Sequence, residues 1–140
     1  MDNTLSLGWM DGEVNSRRSR YRGVMILSLA VQVTISLFAL INPYALVQLF
    51  GLPHPNDMDW PRAWGALLLI MAAFYIPGFR EPVRWRWSNV VGIVGRAGMA
   101  IVYLILGSGF VWLALIEAVL ALLLVIFYFG LFRAVVMAHP

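Results

Sequence analysis

Four apolar stretches dominate the 140-residue chain, at about 24–41, 63–76, 88–106 and 110–132, each bordered by charged or turn-forming residues. Each approaches the ~20 apolar residues that a helix needs to cross ~30 Å of hydrocarbon. That pattern predicts an all-α integral membrane protein, because a backbone inside lipid must satisfy its own hydrogen bonds and a helix does so within one segment. Hydrophobic residues make up 61% of the chain and charged residues 12%, about half the ~25% typical of a soluble domain, so no sizeable water-facing module accompanies the spans. The expected organisation is a polar cytoplasmic tail over residues 1–22, a four-helix transmembrane domain over 23–133 and a short tail over 134–140.

The basic residues are all arginines, and their placement gives an orientation. Arg17, Arg18, Arg20 and Arg22 precede the first stretch, Arg80, Arg84 and Arg86 separate the second from the third, and Arg133 follows the fourth. In a four-pass chain these lie on one side. The other side carries Asp57, Asp59 and the tight Gly107-Ser108-Gly109 turn. Positive charge in short loops marks the cytoplasmic face, so both termini are expected inside. The same topology accounts for the net charge of +3 without a nucleic-acid partner. Ser16-Arg17-Arg18 has the start of a twin-arginine signal, but Arg20 and Tyr21 follow where apolar residues belong, and the first stretch reads as a retained helix.

With no cysteine, disulfides, thiol redox chemistry and iron–sulfur ligation are excluded. His54 and His139 lie outside the stretches, so bis-histidine haem ligation within the bundle is excluded as well. His54, Asp57 and Asp59 form a loose acidic group, too sparse to indicate a metal, and no metal site is expected.

Along the chain, residues 1–21 read as a loosely ordered tail in which Leu5, Leu7, Trp9 and Met10 touch the membrane surface. Asn42-Pro43 reads as a cap and first-turn proline, with Gly51 as the stop of a short helix on the outer surface. Asp59 is the expected cap of the second long helix and Pro77-Gly78 its end. Asp59 and Arg62, three apart, are expected to pair at the outer interface. Trp60, Trp64 and Trp112, with the Arg84-Trp85-Arg86-Trp87 run, read as interfacial belt residues. The three-residue turn at Gly107–Gly109 makes the last two helices an antiparallel hairpin, and the whole an antiparallel four-transmembrane-helix bundle with a short outer interfacial helix after helix 1.

Two charges inside the apolar stretches stand out. Arg96 and Glu117 would each cost ~2.5–3.5 kcal/mol or more if alone at the bilayer centre, so they are expected to face inward and meet. Counted from Ser108, Arg96 lies twelve residues back and Glu117 nine on. At 1.5 Å per residue the depths are about 18 and 13.5 Å, a mismatch that an arginine side chain spans. Gly92, Arg96, Met99 and Tyr103 share one helical face, as do Glu117, Ala121, Leu124 and Tyr128. Ser28, Gln32 and Ser36 stack at i, i+4, i+8 on the first helix, which predicts a polar axis where Gln32 and Ser36 bond the ion pair, with Tyr103 nearby. The pair reads either as a lock on helix register or as a site for a lipid-like headgroup. Proton or ion transfer through Glu117 is a further alternative, although arginine does not give up its proton. Without a nucleophile–base pair, phosphate loop or two-carboxylate arrangement an enzyme is disfavoured and no catalytic residue is assigned; a membrane isomerase using Glu117 and Tyr103 is the remaining enzymatic option.

The layout resembles that of DoxX-like proteins, small four-helix bacterial membrane proteins, and their uncharacterised relatives. The resemblance rests on Asn42-Pro43, Leu49-Phe50-Gly51-Leu52, Arg62-Ala63-Trp64-Gly65, Gly95-Arg96 and Ile116-Glu117-Ala118, over about 23–133. It implies an accessory or partner subunit of a membrane oxidoreductase, or a protein of unknown role, with the helix-three arginine and helix-four glutamate as an interior pair. The redox-active cousins use cysteine pairs, which this chain lacks. The expected function is a non-catalytic accessory subunit, or a binder of a quinone, isoprenoid or other lipid at the Arg–Glu site. The bilayer is its first partner, with a second membrane protein or another copy of the chain beside it.

Overall fold

The computed structural model describes residues 3–138, with side chains from Asp11 onward. It is helical throughout, with no strand among the described residues. The elements are α1 (Asn3–Ile41), α2 (Pro43–Phe50), α3 (Asp59–Phe74), α4 (Ile76–Arg80), α5 (Arg86–Leu106), a 3-10 turn at Ser108–Phe110 and α6 (Val111–Ala138). Four segments, Asp11–Ile41, Asp59–Arg80, Arg86–Leu106 and Ser108–Ala138, are long and apolar enough to cross a membrane.

The surface is apolar and part of the interior polar. Large hydrophobic side chains such as Ile101, Ile105, Leu122 and Phe129 point outward, while Ser28, Gln32, Ser36, Asn89 and Arg96 are buried. In water this arrangement would expose apolar area far beyond the patch size a monomer tolerates; in hydrocarbon it costs nothing and packs the polar groups together.

α1 runs as one helix from Asn3, so the segment ahead of the first stretch is helical and not a loosely ordered tail. Local pairs hold it: Arg17 donates to Glu13 at 2.7 Å and Arg20 to Ser16 at 3.2 Å, both at helical i, i+4 spacing. α6 also continues past the expected end at Phe132 to Ala138, giving α1 something to lie against. Arg17 bonds the Gly130 carbonyl at 3.2 Å, and Tyr21 packs on Tyr128 with ring centres 5.5 Å apart. The suggested membrane contact of Leu5, Leu7, Trp9 and Met10, like His139, lies outside the described side chains.

Asn42 caps α2 through a bond from the Ala45 N–H at 3.1 Å, Pro43 opens the helix, and Gly51 closes it in the left-handed region at φ 64°. Asp59 does not cap α3. It is the first helical residue, and its own N–H is held by Asp57 at 2.9 Å. Pro77-Gly78 does not end that helix either. Pro77 lacks the N–H that would bond the Ala73 carbonyl, so the ladder breaks two residues earlier, at Tyr75, and resumes as α4 to Arg80.

α3 packs on α1, α1 on α6, and α6 on α5. Gly65 brings α3 close to α1: a Cβ there would lie 2.7 Å from the Ala39 Cβ and 2.9 Å from the Ser36 carbonyl. α3 and α5, by contrast, hardly approach each other along their lengths. They meet where α4 leads into α5 and again where Trp64 of α3 packs by Tyr103 of α5. At the first of these the buried Asn89 donates to the Pro82 carbonyl at 3.0 Å and the Gly78 carbonyl at 3.4 Å, and Ser88 bonds the Phe74 carbonyl at 3.0 Å.

Three arginine-bearing segments meet at that end. Arg22 donates to the carbonyls of Phe79 and Arg80, and Arg86 lies 5.2 Å from the centre of the Phe132 ring. At the other end the Gly51–Pro53 segment packs on Gly109.

Candidate functional site

Arg96 is the meeting point of the interior. Only 4% of it is exposed, and its guanidinium donates to Glu117 Oε2 at 2.7 Å, to Gln32 Oε1 at 2.6 Å and to the Ser28 carbonyl at 3.3 Å. The amide of Gln32 passes the network on, its Nε2 donating to the Leu68 carbonyl at 2.8 Å. One guanidinium thus ties α5 to α6 and α1, and through Gln32 to α3. Arginine suits this position because its planar fork offers five donors in fixed directions. Hydrocarbon gives the groups no competing partner, which makes the network directional and strong.

The stripes expected from spacing line this interior. Gly92, Arg96 and Tyr103 are buried on α5, and Ala121, Leu124 and Tyr128 on α6. Two expected members stand elsewhere. Ser36 is buried but turns back on its own helix, donating to the Gln32 carbonyl at 2.7 Å, so it steadies Gln32 instead of touching the pair. Tyr103 belongs to a separate cluster with Leu113 and Ala114, its ring stacked on Phe110 at 6.0 Å. The aromatic ring beside the pair is Tyr75, 5.9 Å from the guanidinium carbon and packed over Gly92. Asp59 and Arg62 do pair, at 3.5 Å, on the exposed surface. Among the described residues, no three His, Asp or Glu side chains come together as a metal would require.

The two sides of Arg96 differ. On the arginine-rich side, Tyr21 OH, Ser28 Oγ and Asn89 Oδ1 are buried without a protein partner. They border a gap of about 10 Å³, the size of a single water. On the other side, the separation of α3 from α5 leaves a cavity of about 290 Å³. Leu67, Met71 and Tyr75 form one wall and Gly95 the other, with Gln32, Arg96 and Glu117 behind. Glu117 is 14% exposed there. A second cavity of about 370 Å³ lies toward the Gly51–Pro53 end, walled by apolar and aromatic residues of α2, α3, α5 and the 3-10 turn. Trp64 and Met99 border both cavities, so Trp64 is a chamber residue and not a belt residue. Trp60 and Trp112 are well exposed, as belt residues would be.

Chemically, the chamber can hold an apolar chain along most of its length and hydrogen-bond one polar group at its inner end. Of the side chains lining the cavity at Arg96, only Tyr75, Arg96 and Glu117 are ionisable. No protein-family model, no curated protein and no solved structure matches this chain.

Proposed function

We propose that this chain is a non-catalytic, multi-pass protein of the bacterial inner membrane that binds a lipid-like molecule, a quinone, isoprenoid or other lipid, beside the Arg96–Glu117 pair. The observation that carries this reading is the cavity reaching Arg96 through the space between α3 and α5. An ion pair serving only to lock helix register needs no such access, whereas a binding site does. Lateral access suits a ligand arriving from the bilayer, and mostly apolar walls with a few convergent polar groups are the usual make-up of small-molecule sites.

The same proposal takes the spans as an antiparallel bundle with α2 along the outer surface and both termini cytoplasmic. In support, contacts run in opposite directions along neighbouring helices: Gly65 meets Ser36 and Ala39 while Leu68 meets Gln32, and Arg96 meets Glu117 while Tyr103 meets Leu113. The arginines gathered at one end support the orientation. Kinship with DoxX-like proteins belongs to this reading and rests on Gly95-Arg96 and Ile116-Glu117-Ala118.

The test is gentle purification of the full chain in nanodiscs followed by native mass spectrometry. A specific amphiphile retained by the wild type and lost in Met99→Trp, which adds bulk at a residue lining both cavities, is the expected result. Equal lipid content in both proteins would overturn the reading. Proteoliposome flux that depends on Glu117, abolished by Glu117→Gln, would favour a transporter or proton conductor in its place.

A further inference from the structure

We infer that the occupant of this chamber is a bilayer-resident amphiphile with an uncharged hydroxyl head, seated on Glu117 and Arg96, with its tail running toward the Gly51–Pro53 end. The inference rests on the binding reading above and specifies the ligand's chemistry.

Charge comes first. Arg96 and Glu117 meet at 2.7 Å, and no other formal charge lines the cavity, so the inner end of the chamber is neutral overall. A phosphate head reaching Arg96 would come within reach of the Glu117 carboxylate. A cationic head reaching Glu117 would meet Arg96. Either would bury an uncompensated charge, which costs more than the contact returns.

Hydrogen-bond capacity decides among neutral heads. Glu117 accepts from Arg96 through Oε2, while Oε1 has no hydrogen bond among the described residues. A carboxylate oxygen accepts only, so its partner must donate. Three of the five donors of Arg96 are engaged, by Glu117, Gln32 and Ser28, so it has donor capacity left, and the Tyr75 hydroxyl, in the same wall, adds another. A hydroxyl satisfies both demands at once, giving its proton to Glu117 and accepting from Arg96 or Tyr75. A ketone or ester head accepts only, and would turn lone pairs toward a carboxylate.

The tail direction follows from the walls. From Arg96 to Leu106, the far lining residue of α5, the helix rises about 15 Å. Along it Trp64 and Met99 border both cavities, with apolar walls beyond.

The experiment holds the tail constant and changes the head. The full chain in nanodiscs is equilibrated with dodecan-1-ol, dodecan-2-one or dodecyl phosphate, and occupancy is read by native mass spectrometry. The alcohol is expected to bind tightest, with the phosphate weaker by on the order of tenfold or more, because it is juxtaposed with a like charge. In Glu117→Gln, which keeps the shape and removes the negative charge, the order should reverse toward the phosphate. Should that variant not fold, the wild-type ranking decides alone. Phosphate or ketone binding as well as the alcohol would overturn the head assignment and leave the lipid-binding reading standing. No binding of any probe, or binding that Met99→Trp leaves unchanged, would overturn both.

Discussion

The two sides of Arg96 are built by different rules. On its arginine-rich side the interior next to Arg96 is filled: Tyr21, Met25, Tyr75, Leu124, Tyr128 and Leu131 form one cluster, and the arginines of α1 cross to the carbonyls of α4 and α6. A cavity of about 270 Å³ appears only farther out, between α1 and α6 at Arg17 and Arg133. Toward the opposite end lie two neighbouring cavities that share Trp64 and Met99 as lining. Close packing is the default for a protein interior. On the proposed binding reading, packing one side of Arg96 to that standard and leaving space on the other separates the work of holding the bundle from the work of holding a ligand. The ion pair sits at the border and belongs to both.

Substitutions can break that division or sharpen it. The largest effect is expected at the border itself. Arg96→Met or Glu117→Leu alone should lower unfolding stability by about 3–5 kcal/mol, since each leaves a buried charge unpaired. The two together should recover most of that loss in a double-mutant cycle measured by unfolding in detergent. Next comes the closed α1–α3 seam. Gly65→Ala places a methyl against the Ser36 carbonyl, which backbone cannot easily yield, and should cost about 1–3 kcal/mol in the same assay. In the open half, Met99→Phe should leave stability within about 1 kcal/mol of wild type while reducing co-purified amphiphile, because the added volume enters the chamber and not a filled core. A comparable loss of stability there would erase the distinction between the halves. Gly98→Ala should change stability by no more than about 0.5 kcal/mol, as a Cβ at that position meets nothing. If Gly98→Ala instead releases a co-purifying membrane protein, the glycine face of α5 is a subunit contact, as the accessory-subunit expectation would have it. The smallest effect belongs to Arg62→Ala, which breaks an exposed pair worth about 0.2–1 kcal/mol in other proteins.

The sequence made the border legible and the rest only partly so. Hydrocarbon makes an isolated charge costly, so Arg96 and Glu117 had to find each other, and their distances from a tight turn set the meeting. Gln32 followed from helical spacing alone. Ser36 obeyed the same spacing but had a partner within its own helix, a competition that periodicity does not register. Tyr103 shares the face of Arg96, yet a face runs the length of a helix and does not specify depth. Tyr75 and Asn89 were missed because they lie at the borders of their apolar stretches, Tyr75 at the end of the second and Asn89 at the start of the third. Their roles depend on the break that Pro77 imposes and on the path of the chain through Pro82. The helical start of α1 was hidden for another reason: its support comes from α6, more than a hundred residues away. Which seam of the bundle would stay open depends on the packing of all four helices at once, and no local pattern encodes it.

The join between α4 and α5 has a mechanical consequence. Asn89 and Ser88 clamp the base from which α3 and α5 rise as facing walls, and the interrupted ladder at Tyr75 lies within that base. α3 is a lever of about 24 Å, so tilting it by roughly 5° at the break would move its far end by about 2 Å. Because α3 is seated along α1, such a tilt would carry that seam with it, and bilayer thickness and lateral pressure act on the two helices together. On the proposed binding reading, affinity in this chamber would then be a property of the surrounding lipid sheet as much as of the side chains, and a binding constant measured in one membrane need not carry over to another.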